Sequence, residues 1–368
     1  MSRAALLLGT LVLILLVGEG VARLMATRKA GSAASAQARP DLPVLKDVLD
    51  IAKPNVRGLY QGVLHRTNSQ GVRGPEYSEW PAAGSFRILL AGDSVTMGWA
   101  VEEPLAYPQV LERLLHESDA SGRRYEVVNL GIAGVNARFS TRRLLRFAEL
   151  YHPDLVIYGF TLNDIEGPAY RTLPKQDRKA LSQQTWRRAL RFNDSPSYLL
   201  RELWPRWIMV LEWSVFHPPE AERIAPQAAE WRKNYFENPD AWRDFTAALD
   251  EHAAGARARG ICGHVFIHTH LTELVPAHRN RPIYARVAAA ARARGLGVTE
   301  SFPHLVGRDN QALWVNAFDV HPNQEGHAIL AQALFEGLEK LPAACWRAHS
   351  GGAPALDSAG LSAPGSSR

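Results

Sequence analysis

From residue 86 onward, short apolar runs alternate with amphipathic stretches, and this alternation limits the fold more than any other feature. Residues 87–91 (RILLA), 125–130 (YEVVNL), 155–160 (LVIYGF) and 263–268 (GHVFIH) read as strands, with a short fifth at 297–300. Residues 107–116, 137–151, 282–294 and 323–341 carry apolar side chains at helical spacing. Inward positions are expected at Leu144, Leu145, Phe147, Ala148 and Tyr151 in the second helix, and at Ile329, Leu330, Ala333, Leu334 and Leu338 in the last. Strands that alternate with helices predict a parallel sheet covered on both faces. Residues 165–260 interrupt the pattern. They contain SPSYLLRELWPRWIMVLEWSVF and read as a helical insertion that packs on the core, lies on a membrane surface or covers a substrate.

The flanks read differently. Arg3 precedes an apolar run over residues 4–17, the right length for the hydrophobic part of a signal sequence and long enough to anchor if extended to Ala22. Residues 1–24 are therefore expected to be a signal-anchor or signal peptide. The remainder is expected on the extracytoplasmic side of the cell membrane or, if the segment is cleaved, secreted. Residues 25–85 read as a tether and loop-rich lead-in, with LHRTNSQGVRG suggesting a small hairpin. Residues 86–342 form the α/β domain, and 343–368 a low-complexity, disordered tail. Cys262 and Cys345 make no metal-binding or CxxC pattern, and a disulfide between them is an open choice outside the cytosol. The net charge of +5 is spread through arginine-rich helices, which fits solvated faces or a weakly anionic partner such as an acidic polysaccharide or a lipid surface. No basic block is interleaved with aromatic residues, so nucleic acid is not an expected partner. Nothing in the sequence sets the oligomeric state.

Chemistry concentrates where strands end. The stretch ILLAGDSVTMGWAV stops its apolar run at Gly92-Asp93-Ser94. Gly134 follows the second strand, Thr161-Leu162-Asn163-Asp164 follows the third, and Asp319-Val320-His321-Pro322-Asn323 precedes the last helix. Open α/β sheets bind ligands at such carboxyl-terminal ends. A serine hydroxyl needs a nearby base to become a useful nucleophile, and His321 can serve near neutral pH. Asp319 can orient the imidazole. The backbone N–H groups of Ser94 and Gly134 and the Asn163 amide would supply three donors for an oxyanion.

These four blocks, in this order, resemble the SGNH or GDSL-type hydrolase superfamily. The N-terminal apolar segment resembles that of membrane-anchored bacterial members. The resemblance implies a flavodoxin-like three-layer α/β/α sandwich, a nucleophile at Ser94, a base at His321, its partner at Asp319, and an oxyanion hole of Ser94, Gly134 and Asn163. It implies no metal and no cofactor. Two positions depart from the family pattern. Thr161 stands where G-x-N-D has glycine, and Asp319 lies two rather than three residues before His321. The second departure leaves open whether Asp319 or a backbone carbonyl orients the ring. His327 is expected to pack on the closing helix. The implied activity is cleavage of acyl esters on a small molecule, or deacetylation of an envelope or extracellular glycan or lipid. An O-acyltransferase using the same residues and a non-catalytic glycan-binding envelope protein are the alternatives.

Overall fold

The computed structural model describes residues 17–20, 42–45, 50–166, 220–316 and 319–348. A hairpin comes first. β1 (Arg57–Tyr60) pairs antiparallel with β2 (Val63–Arg66) across Gln61 and Gly62, both at positive φ. That conformation suits the twist of a two-residue turn. The pattern then follows the predicted order: β3 (Phe86–Gly92), the single helical turn α1 (Ser94–Met97), α2 (Tyr107–Ser118), β4 (Tyr125–Asn129), α3 (Ala137–Tyr151) and β5 (Leu155–Phe160). After residue 219 come α4 (Glu220–Phe236), α5 (Pro239–Ala258), β6 (Cys262–Ile267), α6 (Arg281–Arg292), β7 (Gly297–Glu300), α7 (Phe302–Leu305), β8 (Trp314–Asn316), β9 (Asp319–Pro322) and α8 (Gln324–Leu338).

Five strands form one parallel sheet in the order β4-β3-β5-β6-β7. Relative to its first strand this is the 2-1-3-4-5 order of flavodoxin-like folds. Alternate side chains of β3 face opposite layers. Phe86, Ile88 and Leu90 pack with α2 and α8, while Leu89 and Ala91 pack with α3. Helices α5 and α6 cover the same face as α3, against Val265 and Ile267 of β6. Every β3 residue is buried, and burial of each large apolar side chain stabilises by about 1.5–3 kcal/mol. Leu145, expected to point inward, lies half-buried at the edge of the α3 stripe against Gly255 of α5, where a Cβ would come within 2.2 Å.

Two boundaries shift. Residues 239–258, which the sequence assigns to the insertion, form the helix α5 that connects β5 to β6 and covers the sheet. The Trp-rich stretch 195–216 lies outside the described residues. The expected tail does not begin at 343. A helical turn over Ala343–Trp346 follows α8, Cys345 forms a disulfide with Cys262, and Trp346 lies 5.2 Å from the Phe86 ring. Residues 349–368 are outside the described set. Among the described residues no helix is long and apolar enough to cross a membrane; the expected anchor, residues 1–24, falls outside them apart from residues 17–20.

Candidate active site

The sheet order reverses at β3, so its carboxyl end opens into a crevice between neighbouring crossovers. The chain turns there into α1. Asp93 caps that turn by accepting from the Val95 N–H at 3.0 Å, and Ser94 follows as the first helical residue. Arg73 closes the other end. It is buried and donates to the carbonyls of Met97, Gly98 and Val101 at 2.6–2.9 Å. A cation suits a helix C-terminus. Burial lowers the Arg73 guanidinium to about 10, which leaves it charged at neutral pH. Gly131, after β4, lies so close to α1 that a Cβ would sit 2.2 Å from the Met97 nitrogen.

Asp319 and His321 both belong to β9. Residues two apart on a strand share a face, so the short D-x-H spacing still brings them together. Asp319 Oδ1 lies 2.5 Å from His321 Nδ1 and accepts from the His321 backbone N–H at 3.1 Å. On the other side of the ring, Nε2 lies 2.9 Å from Ser94 Oγ. The Ser94 hydroxyl also has Asp93 Oδ2 within 3.3 Å. Burial pushes the Asp319 carboxyl up, but the donors from His321 and Trp99 outweigh it and hold the group below its ordinary value. The sequence reading treats 319–323 as a loop; pairing with β8 makes 319–322 a strand. The Trp314 indole, donating to Leu271 O at 2.6 Å, anchors that hairpin.

Asn163 reaches the same pocket from the 3-10 turn after β5. Its Oδ1 accepts from Thr161 Oγ at 2.7 Å, so the amide NH2 is the end left for a ligand among the described residues. Thr161 in place of glycine therefore orients this side chain. Beneath it, Asp164 accepts from Tyr158 Oη at 2.6 Å and Thr161 N at 2.8 Å. Burial, reinforced by Asp93, lifts the Asp164 carboxyl well above its ordinary value.

The pocket measures about 360 Å³. Its lining combines the apolar side chains of Leu162, Leu271, Val320 and Leu330 with the polar groups of Glu166, Gln227, Trp231 and His270. The Trp231 indole donates to Glu166 Oε1 at 3.1 Å, and burial raises the Glu166 carboxyl. Gly134 stands apart. It is exposed, turns the chain at φ 69°, and is not among the residues lining the pocket. His327 is fully buried and its Nδ1 accepts from the Tyr107 N–H at 3.2 Å, a packing role. Among the described residues no group of His, Cys, Asp or Glu side chains is arranged to hold a metal ion.

Trp99, five residues past Ser94, belongs to the site although no sequence motif marks it. Its indole N–H donates to Asp319 Oδ2 at 2.8 Å and its ring stacks on His321 at 5.0 Å and 20°. An aromatic residue so soon after the serine was the available signal.

Residues 90–329 match the family model described as the GDSL-like Lipase/Acylhydrolase family. A search of curated proteins gives no match. Similar solved structures include TesA, at 15% identity, covering 69% of this chain and 98% of that one, with TM-score 0.40. Another is Axe2, an acetylxylan esterase from Geobacillus stearothermophilus, at 16% identity, 70% and 96% coverage, and TM-score 0.40. A third is CEX, a two-domain esterase active on acetylated mannans, at 14% identity, 75% and 53% coverage, and TM-score 0.40. The family match spans well over half of the chain, which therefore belongs to the GDSL-like lipase/acylhydrolase family and is an ester-cleaving hydrolase.

Proposed function

We propose that the protein hydrolyses acyl esters through an acyl-enzyme on Ser94. The observation that carries this reading is the unbroken relay from Asp319 through His321 to Ser94, with contacts of 2.5 and 2.9 Å. Ser94 Oγ attacks the ester carbonyl while its proton passes to His321 Nε2. Asp319 accepts from Nδ1 and stabilises the imidazolium. The developing oxyanion takes donors from Ser94 N–H and Asn163 Nδ2, both of which line the pocket. Collapse of the intermediate releases the alcohol, which takes the proton from His321. Water then attacks the acyl carbonyl as it loses a proton to the same imidazole; the bond to Ser94 Oγ breaks, His321 returns the proton to that oxygen, and the acid leaves.

The mixed lining suggests the substrate class. A small pocket with apolar side chains suits a short acyl chain such as acetyl, and its polar groups suit a hydroxyl-rich alcohol, such as a sugar of an envelope or extracellular glycan. The Cys262–Cys345 disulfide favours an oxidising, extracytoplasmic location for this work. A panel of esters of graded acyl length, assayed with the wild-type chain and Ser94→Ala, tests the proposal. The variant should lose on the order of 10⁶ in kcat and stay unreactive to a fluorophosphonate probe. Ester hydrolysis retained by purified Ser94→Ala would overturn the assignment.

A further inference from the structure

Where Asp319 lies two residues before His321, something must stop the carboxylate from rotating away. One oxygen, Oδ1, holds both the ring and the backbone N–H of His321. The other, Oδ2, is held by the Trp99 indole, 220 positions away in sequence. The indole also lies against the imidazole face at 5.0 Å, leaving the ring little room to tilt. Trp99 itself is fixed from two directions. Its backbone N–H donates to Ser94 O at 3.0 Å, which joins it to the turn that carries the nucleophile. The Tyr60 ring, at the tip of the β1–β2 hairpin, meets it edge-on at 5.5 Å and 85°. Tyr60, Ile51, Met97 and Ala133 make a small buried cluster, with Leu45 and Trp99 packed against it. The hairpin lies outside the residues matched by the family model, which begin at 90.

We infer that Trp99 is a positioning residue for the Asp319–His321 pair and that the β1–β2 hairpin, through Tyr60, holds Trp99 in place. The lead-in to the domain is on this account part of the machinery that keeps the base aligned. The inference rests on the hydrolase reading of Ser94 and His321. It acts on turnover rather than on substrate binding, because Trp99 is not among the residues that line the pocket.

The test is a double-mutant cycle in the full-length chain, with p-nitrophenyl acetate as substrate. Trp99→Phe should lower kcat roughly tenfold to a hundredfold, with KM within about twofold. In an Asp319→Asn background the same change should cost less than about twofold, since the carboxylate is what it acts on. The acid-side loss of activity should begin at higher pH in Trp99→Phe, because a donor to ionised Asp319 is gone. If near-UV circular dichroism shows that Trp99→Phe is misfolded, Tyr60→Leu takes its place, with a smaller drop in kcat that likewise vanishes beside Asp319→Asn. Equal costs in both backgrounds, or wild-type kcat in Trp99→Phe, would overturn the inference while leaving Ser94 as nucleophile. Ester hydrolysis surviving in Ser94→Ala would instead remove the hydrolase reading beneath it.

Discussion

The two ends of one parallel sheet are built to opposite rules. At the amino-terminal end, charge is buried and fully engaged. Arg87 on β3 is inaccessible to solvent, yet its guanidinium meets Glu126, Ser78 and the Tyr151 carbonyl at 2.6–2.8 Å. Its backbone N–H donates to Asp154 at 2.7 Å. Beside this cluster the Cys262–Cys345 disulfide and the Trp346–Phe86 contact tie the segment after α8 to the sheet. At the carboxyl-terminal end the polar groups are connected but not used up. The Ser94 hydroxyl has two neighbours within reach, and the Asn163 amide keeps its donors for a ligand. Groups with no remaining capacity make a rigid foundation. Groups that can exchange one partner for another make a reactive site.

The comparison breaks if substitutions at one end produce the effects assigned to the other. The largest effect on turnover beyond the nucleophile belongs to Asp319→Asn. A loss of about 10⁴ in kcat with an unchanged melting temperature is expected if the carboxylate sets tautomer and orientation; a loss below about tenfold would mean that the serine and histidine work as a pair. Asn163→Ala should follow, with a loss on the order of 10²–10³ in kcat and little change in KM. At the foundation, replacing Cys262 and Cys345 together by serine opens a link across 83 positions. Chain entropy alone puts that at about 4–5 kcal/mol of stability, read by urea titration, while kcat of the folded protein stays within about twofold.

The remaining expectation concerns pH, where each group's effect is small near neutrality and grows as the solution turns acid. Burial lowers His65, His252 and His270 to about 4, and His264, His268 and His327 to about 3. These histidines stay neutral in the fold, whereas in the unfolded chain they take up protons below about 6.5. Their contribution is therefore complete above pH 6.5 and is lost as pH falls from there toward 3–4. Urea midpoints measured between pH 7.5 and 4 should decline steadily; a flat profile down to pH 5 would show that these rings are not buried as neutral groups.

Much of this arrangement was legible in the chain itself, because apolar runs of strand length and helical stripes leave separate signatures. Residues 137–151, 155–160 and 297–300 occupy the elements read from them. Ser94 and Asn163 were placed by the rule that loops after parallel strands converge, and the Asp319–His321 block by its position before the last helix; the structure brings Ser94, Asn163 and His321 to one pocket, with Asp319 behind the His321 ring. Gly134 was chosen by the same rule but is not in that lining. What escaped the sequence depends on distant partners or weak local signals. Trp99 acquires its meaning only from Asp319, far along the chain. The β8–β9 hairpin has strands of three and four residues, too short for a period to register. α5 is rich in alanine and was absorbed into the insertion before it.

The placement of Asp319 and His321 on a single strand has a consequence for how such an enzyme can change. Successive side chains on a strand point to opposite faces, so the pair behaves like two marks kept in phase. Inserting one residue beside Val320 would swing the acid to the far face of the hairpin, away from both the imidazole and the indole. Acid and base therefore share a face only while their positions along this strand differ by an even number of residues, and the site tolerates length changes here only in twos.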